Sequence, residues 1–137
     1  LGRDPVYRRA AAEFADLLVE RGLGLVYGGG DVGMMGVLAD TVLAGGGAVI
    51  GVIPRSLVDR ELAHHGVTDL QIVDGMHERK RRVYAQSDAV VALPGGAGTL
   101  DELFEAFTWN QLGILSEKEG RFEDARELYG RALAGRG

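Results

Sequence analysis

Residues 89–107 read AVVALPGGAGTLDELFEAF, and the order of residue types along them decides the fold. Ala89 to Leu93 is a short apolar run of the kind that forms a strand buried on both faces of a parallel sheet. Pro94 stops it, because proline has no N–H for the ladder. Gly95, Gly96, Ala97, Gly98 and Thr99 follow. Then Leu100, Leu103, Phe104 and Phe107 recur at helical spacing, with Asp101, Glu102 and Glu105 on another face. Strand, glycine turn and helix together form a cradle for an anion: glycines let backbone N–H groups approach closely, and the helix N-terminus adds partial positive charge. Thr99 caps the helix and offers a hydroxyl to a phosphate. No Lys follows the last Gly, so this is not a P-loop. The plain alternative is a tight turn with no ligand. Glu102, in the first helical turn, is either a carboxylate favoured by the helix dipole or a group placed to act on a sugar phosphate held by the loop.

Upstream, the same alternation repeats. Asp4-Pro5 opens a helix as cap and first residue, and Tyr7, Ala10, Ala11, Phe14, Leu17 and Leu18 give it an apolar stripe that Gly22 terminates. Leu23 to Tyr27 is a short strand running into a second glycine loop, Gly28-Gly29-Gly30-Asp31-Val32-Gly33-Met34-Met35-Gly36. A helix from Met34 to Ala44, a break at Gly45 to Gly47 and a strand from Ala48 to Ile53 follow, with Pro54 closing the strand. Ser56 to Leu62 is expected as a short helix, Leu70 to Val73 as a strand and Met76 to Gln86 as a helix. Strands alternating with helices predict a Rossmann-like parallel α/β sheet with helices on both faces. In such sheets ligands bind beyond the carboxyl ends of the strands, where both glycine loops fall. From Leu112 the strand signal ends, and LGILSEKEGRFEDARELYGRALAG reads as two helices joined at Gly120-Arg121.

With 137 residues the chain is sized for one domain, and 46% hydrophobic residues can form a real core. Twenty-two glycines without a collagen period mean many tight turns. A net charge of −5 argues against general nucleic-acid binding. There is no cysteine, so disulfides and thiolate chemistry are excluded, and a cytoplasmic setting is expected. No apolar run reaches transmembrane length.

GGGDVGMMG is not a clean dinucleotide fingerprint. The acidic residue wanted at the end of the next strand is absent, since Ile53-Pro54 is followed by Arg55. A loop of Gly28, Gly29, Gly30 and Gly33 that cups a phosphate or ribose, or simply packs on its neighbour, fits better. Arg79 and Lys80 lie near a helix start, where the dipole disfavours cations. They are either a solvated face or a site for an anionic substrate. His64, His65 and His77 have no metal spacing, so no metal site is expected, and His64 and His65 are expected on a surface loop. Glu61 stands alone among polar residues and is expected in solvent. Met34 and Met35 are expected in packing rather than chemistry.

GGGDVGMMG, MHERK and PGGAGTLDE, in this order and at these separations, resemble the LONELY GUY (LOG) family of phosphoribohydrolases, formerly described as lysine decarboxylases. Pro94 to Glu102 match the hallmark PGGxGTxxE in full, Gly28 to Gly36 match the upstream glycine loop, and Arg79-Lys80 fall on the M-H-x-R-K element. Asp59-Arg60-Glu61 stand where the family has P-R-E. The resemblance covers residues 1 to about 114. It implies hydrolysis of the N-glycosidic bond of a nucleoside 5′-monophosphate, N6-substituted adenosine monophosphates among them, by a homodimer without metal or cofactor. It implies Glu102 and Arg79 as catalytic residues, since a carboxylate can stabilise an oxocarbenium-like sugar and deprotonate water. It also implies substrate contacts from Glu61, Arg79, Lys80 and the segment Gly95, Gly96, Ala97, Gly98, Thr99, Leu100 and Asp101.

Two departures stand out. The family's first strand and Gly-Ser turn are absent ahead of Leu1-Gly2-Arg3, and that strand would be central in the sheet. After Ile114, GRFEDARELYGRALA resembles the second helix of a tetratricopeptide repeat instead of the family's last strands. The expected organisation is a LOG-like domain over 1–114 and a helical tail over 115–137. Two other readings stand beside the enzyme: a non-catalytic nucleotide or molybdenum-cofactor carrier on the same scaffold, and an interaction module built on the tail. Decarboxylation of lysine would need pyridoxal phosphate, and neither Lys80 nor Lys118 sits in an evident setting for it.

Overall fold

The computed structural model describes residues 5–93. The loop Gly95–Thr99, Leu100, Asp101, Glu102 and the tail lie outside the described residues. Helix α1 runs Pro5–Glu20, strand β1 Leu25–Tyr27, helix α2 Gly33–Ala44, strand β2 Val49–Pro54, strand β3 Asp69–Val73 and helix α3 Met76–Gln86. All three strands are parallel, in the order β1-β2-β3, with Tyr27 opposite Gly51 and Pro54 opposite Val73. The expected parallel α/β architecture is what forms.

The local rules account for the element ends. α1 closes in a Schellman turn: Gly22 adopts φ 67°, its N–H bonds Val19 O at 3.0 Å, and the Leu23 N–H bonds Leu18 O at 2.8 Å. α2 ends the same way at Gly46, with φ 84° and a bond from the Gly47 N–H to Val42 O at 2.9 Å. The α1 stripe is buried as its period requires, through Ala10, Ala11, Phe14, Ala15 and Leu18. Phe14, Ala15 and Leu18 pack with Leu38, Ala39 and Val42 of α2, Tyr27 of β1 and Val49 of β2 to form the core. Met35 packs against it from the rim, as expected of a packing residue. Val52 and Ile53, adjacent and therefore on opposite faces of β2, are both fully buried, so this strand is covered on both sides.

Two elements differ from expectation. Ser56 to Leu62 does not form a helix; only a 3-10 turn at Arg55–Leu57 appears, followed by hydrogen-bonded turns to Leu62. The segment has the job of carrying the chain from the end of β2 back to the start of β3, which a parallel pair demands. Its turns close on themselves, as in the bond from the Glu61 N–H to Leu57 O at 2.8 Å, while the carbonyls of Glu61 and Leu62 at its end accept from the Asp31 N–H of the glycine loop. Ala89–Leu93 is not a strand among the described residues. Val91 and Leu93 pack against the core but pair with no strand among the described residues, and an apolar run alone does not make a ladder.

Candidate functional site

The site is built where β1 and β2 end. β1 delivers the chain into Gly28-Gly29-Gly30, and the β2–β3 crossover folds across this loop. Gly30 pairs with Ala63 in an antiparallel bridge. The Asp31 N–H donates to Leu62 O at 2.9 Å, and the His64 N–H donates to Gly29 O at 2.9 Å. The buried Tyr27 hydroxyl donates to Gly30 O at 2.8 Å, which fixes the loop from the strand side. Burial, reinforced by the charges of Asp31 and Asp40, pushes the Tyr27 phenol well above its ordinary pKa of 10.0, so it stays a donor.

Arg79, on the first turns of α3, reaches into this corner. Its side chain is 11% exposed. Nε donates to Val52 O at 3.0 Å, and Nη2 donates to Gly28 O at 2.5 Å and to Glu61 Oε2 at 3.0 Å. A buried guanidinium needs such partners. Its other terminal nitrogen, Nη1, faces the sulfur of Met76 at 3.7 Å, a weak acceptor. Gly28 is glycine for a spatial reason: a Cβ there would stand 2.1 Å from Arg79 Nη2. Two carbonyls and one carboxylate therefore hold a cation rigidly, with one donor group left on a weak partner.

Three residues singled out from sequence are thus in direct contact: Arg79, Glu61 and Gly28. Arg79 is not part of a solvated face; the solvated arginines of α3 are Arg81 and Arg82, which share the carboxylate of Glu78 at 2.9 Å each. Those two guanidiniums lower the Glu78 pKa to about 2. Glu61 is not alone, since it is the counter-ion of Arg79. Lys80 follows Arg79 on α3, half-buried. Gly29 and Gly30 are buried in the loop, and Gly33 starts α2.

His64 is the clearest departure from expectation. It is 9% exposed rather than on the surface, while His65 is exposed. His64 Nε2 lies 2.6 Å from Asp40 Oδ1 on α2 and 3.7 Å from Asp31 Oδ1. Asp31, Asp40 and His64 bring one ligand atom each within 4.8 Å of one another, a spacing open to a metal ion. The ring is committed otherwise. The Gly66 N–H donates to Nδ1 at 3.1 Å, so Nδ1 is the acceptor and Nε2 carries the hydrogen directed at Asp40. Both ring nitrogens are thus engaged by hydrogen bonds within the protein. No signal in the sequence marked Asp40, and the pair His64-His65 gave no reason to separate one from the other.

A parallel α/β unit with a glycine loop, a buried arginine and an acidic partner at the strand ends has the layout in which open α/β sheets place their ligands, beyond the carboxyl ends of the strands. A family model described as "Possible lysine decarboxylase" matches residues 35–126, and the chain belongs to that family, the LOG family. A cytokinin riboside 5′-monophosphate phosphoribohydrolase of Oryza sativa subsp. japonica is 51% identical over 119 residues, 87% of this chain and 49% of the relative. A second, of Arabidopsis thaliana, is 49% identical over 113 residues, 82% of this chain and 52% of the relative. The chain therefore spans about half the length of the curated relatives it matches. Among solved structures, the molybdenum cofactor binding protein from Rippkaea orientalis matches with a TM-score of 0.67 and 26% identity, over 79% of this chain and 64% of that one.

Proposed function

We propose that this chain acts as a phosphoribohydrolase. It hydrolyses the N-glycosidic bond of a nucleoside 5′-monophosphate, plain or N6-substituted adenosine monophosphate, to the free base and ribose 5-phosphate. The observation that carries this reading is the meeting of Arg79, Glu61 and Gly28 at the strand ends, in a chain about half identical to proteins named for that reaction.

In this reading the backbone N–H groups of Gly95, Gly96, Ala97, Gly98 and Thr99, with Leu100 and Asp101 at the helix start, hold the 5′-phosphate. Gly28, Gly29, Gly30 and Gly33 form the opposite wall. Arg79 Nη1 and Lys80 meet the anionic sugar phosphate, and Glu61 fixes Arg79 while its second oxygen faces the ligand. As the bond from C1′ to the base nitrogen breaks, its electron pair leaves with the base and positive charge develops on the ribose. The carboxylate of Glu102 stabilises that charge and takes a proton from the attacking water, whose oxygen forms the new bond to C1′. The proton that water gave up ends on the departing nitrogen, which returns Glu102 to its carboxylate form. Neither metal ion nor cofactor enters this scheme. The reading extends to a homodimer in the cytoplasm, built from an α/β domain over 1–114 and a helical tail over 115–137, with no nucleic acid or membrane as partner. The net charge of −5 supports the absence of nucleic acid. No helix among the described residues is long and apolar enough to cross a membrane.

A second reading, a nucleotide or molybdenum-cofactor carrier, is favoured by the fold shared with the Rippkaea protein. The two separate on turnover. Base release from adenosine monophosphate, followed by chromatography on the full chain and on Glu102→Gln, should be abolished by the substitution while nucleotide binding persists. Binding without release in the unsubstituted chain would favour the carrier.

A further inference from the structure

Leu62 is the one non-glycine residue with positive φ among the described residues, at 48°, and its side chain is 61% exposed. Nothing apolar holds it there. A left-handed leucine is strained, so other contacts must fix it. Its carbonyl accepts from the Asp31 N–H, the next residue bridges Gly30, and the Glu61 carboxylate just before it reaches Arg79. One residue beyond the bridge, His64 Nε2 donates to Asp40 Oδ1 of α2 at 2.6 Å, which ties the stretch to a second helix. The Gly66 N–H holds the same ring from the other side.

We propose that Asp40 and His64 are positioning residues of the site: their hydrogen bond locks the crossover loop in the left-handed turn that brings Glu61 to Arg79. The argument is geometric. The two ring nitrogens of His64 are both engaged within the protein, and the ring is buried against a carboxylate that is itself 64% exposed. A carboxylate so exposed gains nothing from burial; it serves as a fixed acceptor on a rigid helix. Asp31 Oδ1, 3.7 Å away, reinforces the same ring, and Asp31's own N–H is one of the bonds the lock protects. The consequence for ligand affinity rests on the phosphoribohydrolase reading; the consequence for the loop does not.

The test uses the full chain with Asp40→Ala and Asp40→Asn. Amide hydrogen exchange is followed at Asp31 and His64, whose N–H groups bond Leu62 O and Gly29 O, and at Val52 in β2 as reference. Adenosine monophosphate is titrated in parallel. Asp40→Ala is expected to speed exchange at Asp31 and His64 by about tenfold or more, the equivalent of one charge-assisted hydrogen bond, with Val52 unchanged. Affinity for the nucleotide should fall by a similar factor. Asp40→Asn, which keeps an oxygen acceptor, should restore most of both. Unchanged exchange at Asp31 and His64, or equal acceleration at Val52, would overturn the proposal. If the unsubstituted chain does not bind the nucleotide, the phosphoribohydrolase reading fails and the exchange comparison alone decides the positioning role.

Discussion

Arg79 Nη2 and Glu61 Oε2 lie 3.0 Å apart, joining the first turns of α3 to a crossover loop eighteen residues earlier in the chain. The pair is asymmetric: the guanidinium is 11% exposed and the carboxylate 38%. Removing the carboxylate leaves a nearly buried cation with only carbonyls around it, which is costly. Removing the cation leaves a carboxylate that water can reach. Glu61→Ala should therefore destabilise more than its exposure suggests, by about 1.5–3 kcal/mol. Arg79→Lys should lose a similar amount, because an ammonium cannot span the Val52 and Gly28 carbonyls and the carboxylate together. Urea unfolding of both variants checks this, and a loss below about 0.5 kcal/mol, the level of an ordinary surface change, would contradict it.

Gly28 shapes the same corner from below. An alanine there would put its Cβ 2.9 Å from the Arg79 central carbon and closer still to Nη2, so the guanidinium must move. Gly28→Ala should weaken adenosine monophosphate binding as much as Arg79→Ala does, and the double variant should be no worse than either. Residues acting through one shared group are non-additive in this way. Additive losses, measured by calorimetric titration, would show that Gly28 acts independently of Arg79.

Tyr27 couples the loop to alkaline stability. Its phenol pKa is raised in the folded chain, so the folded state keeps a proton that the unfolded state gives up above its ordinary value of 10.0. The stabilisation is present in full below pH 10 and is lost as pH rises beyond it. Stability of the parent chain should fall as pH climbs from 9 to 11 more steeply than that of Tyr27→Phe, after allowing for the other tyrosines. Equal slopes would mean that the phenol is not buried beside Asp31 and Asp40 as described.

Much of this was legible in the sequence because the signals were local. Gly22 and Gly46 end their helices through backbone geometry that glycine favours, and Met76–Gln86 forms the helix its pattern predicts. The alternation of apolar runs and helical stripes gives the parallel sheet. What was not legible depends on contacts between distant segments. Ser56 to Leu62 looks helical in isolation, yet it forms only turns, and its last carbonyls, those of Glu61 and Leu62, accept from the glycine loop. Ala89–Leu93 has the apolarity of a buried strand, yet pairing requires a neighbour that no local pattern supplies. His64 and His65 are alike in sequence and opposite in burial, because only His64 faces Asp40, twenty-four residues away. Arg79 was marked by the resemblance, but its three partners are a property of the fold.

The most direct measurement is product analysis of the full chain with adenosine monophosphate. Chromatography resolves adenine, ribose 5-phosphate, adenosine and inorganic phosphate in one run. Equimolar adenine and ribose 5-phosphate, lost in Glu102→Gln, is the result this account requires. Adenosine with inorganic phosphate, or bound nucleotide with no product at all, would contradict it.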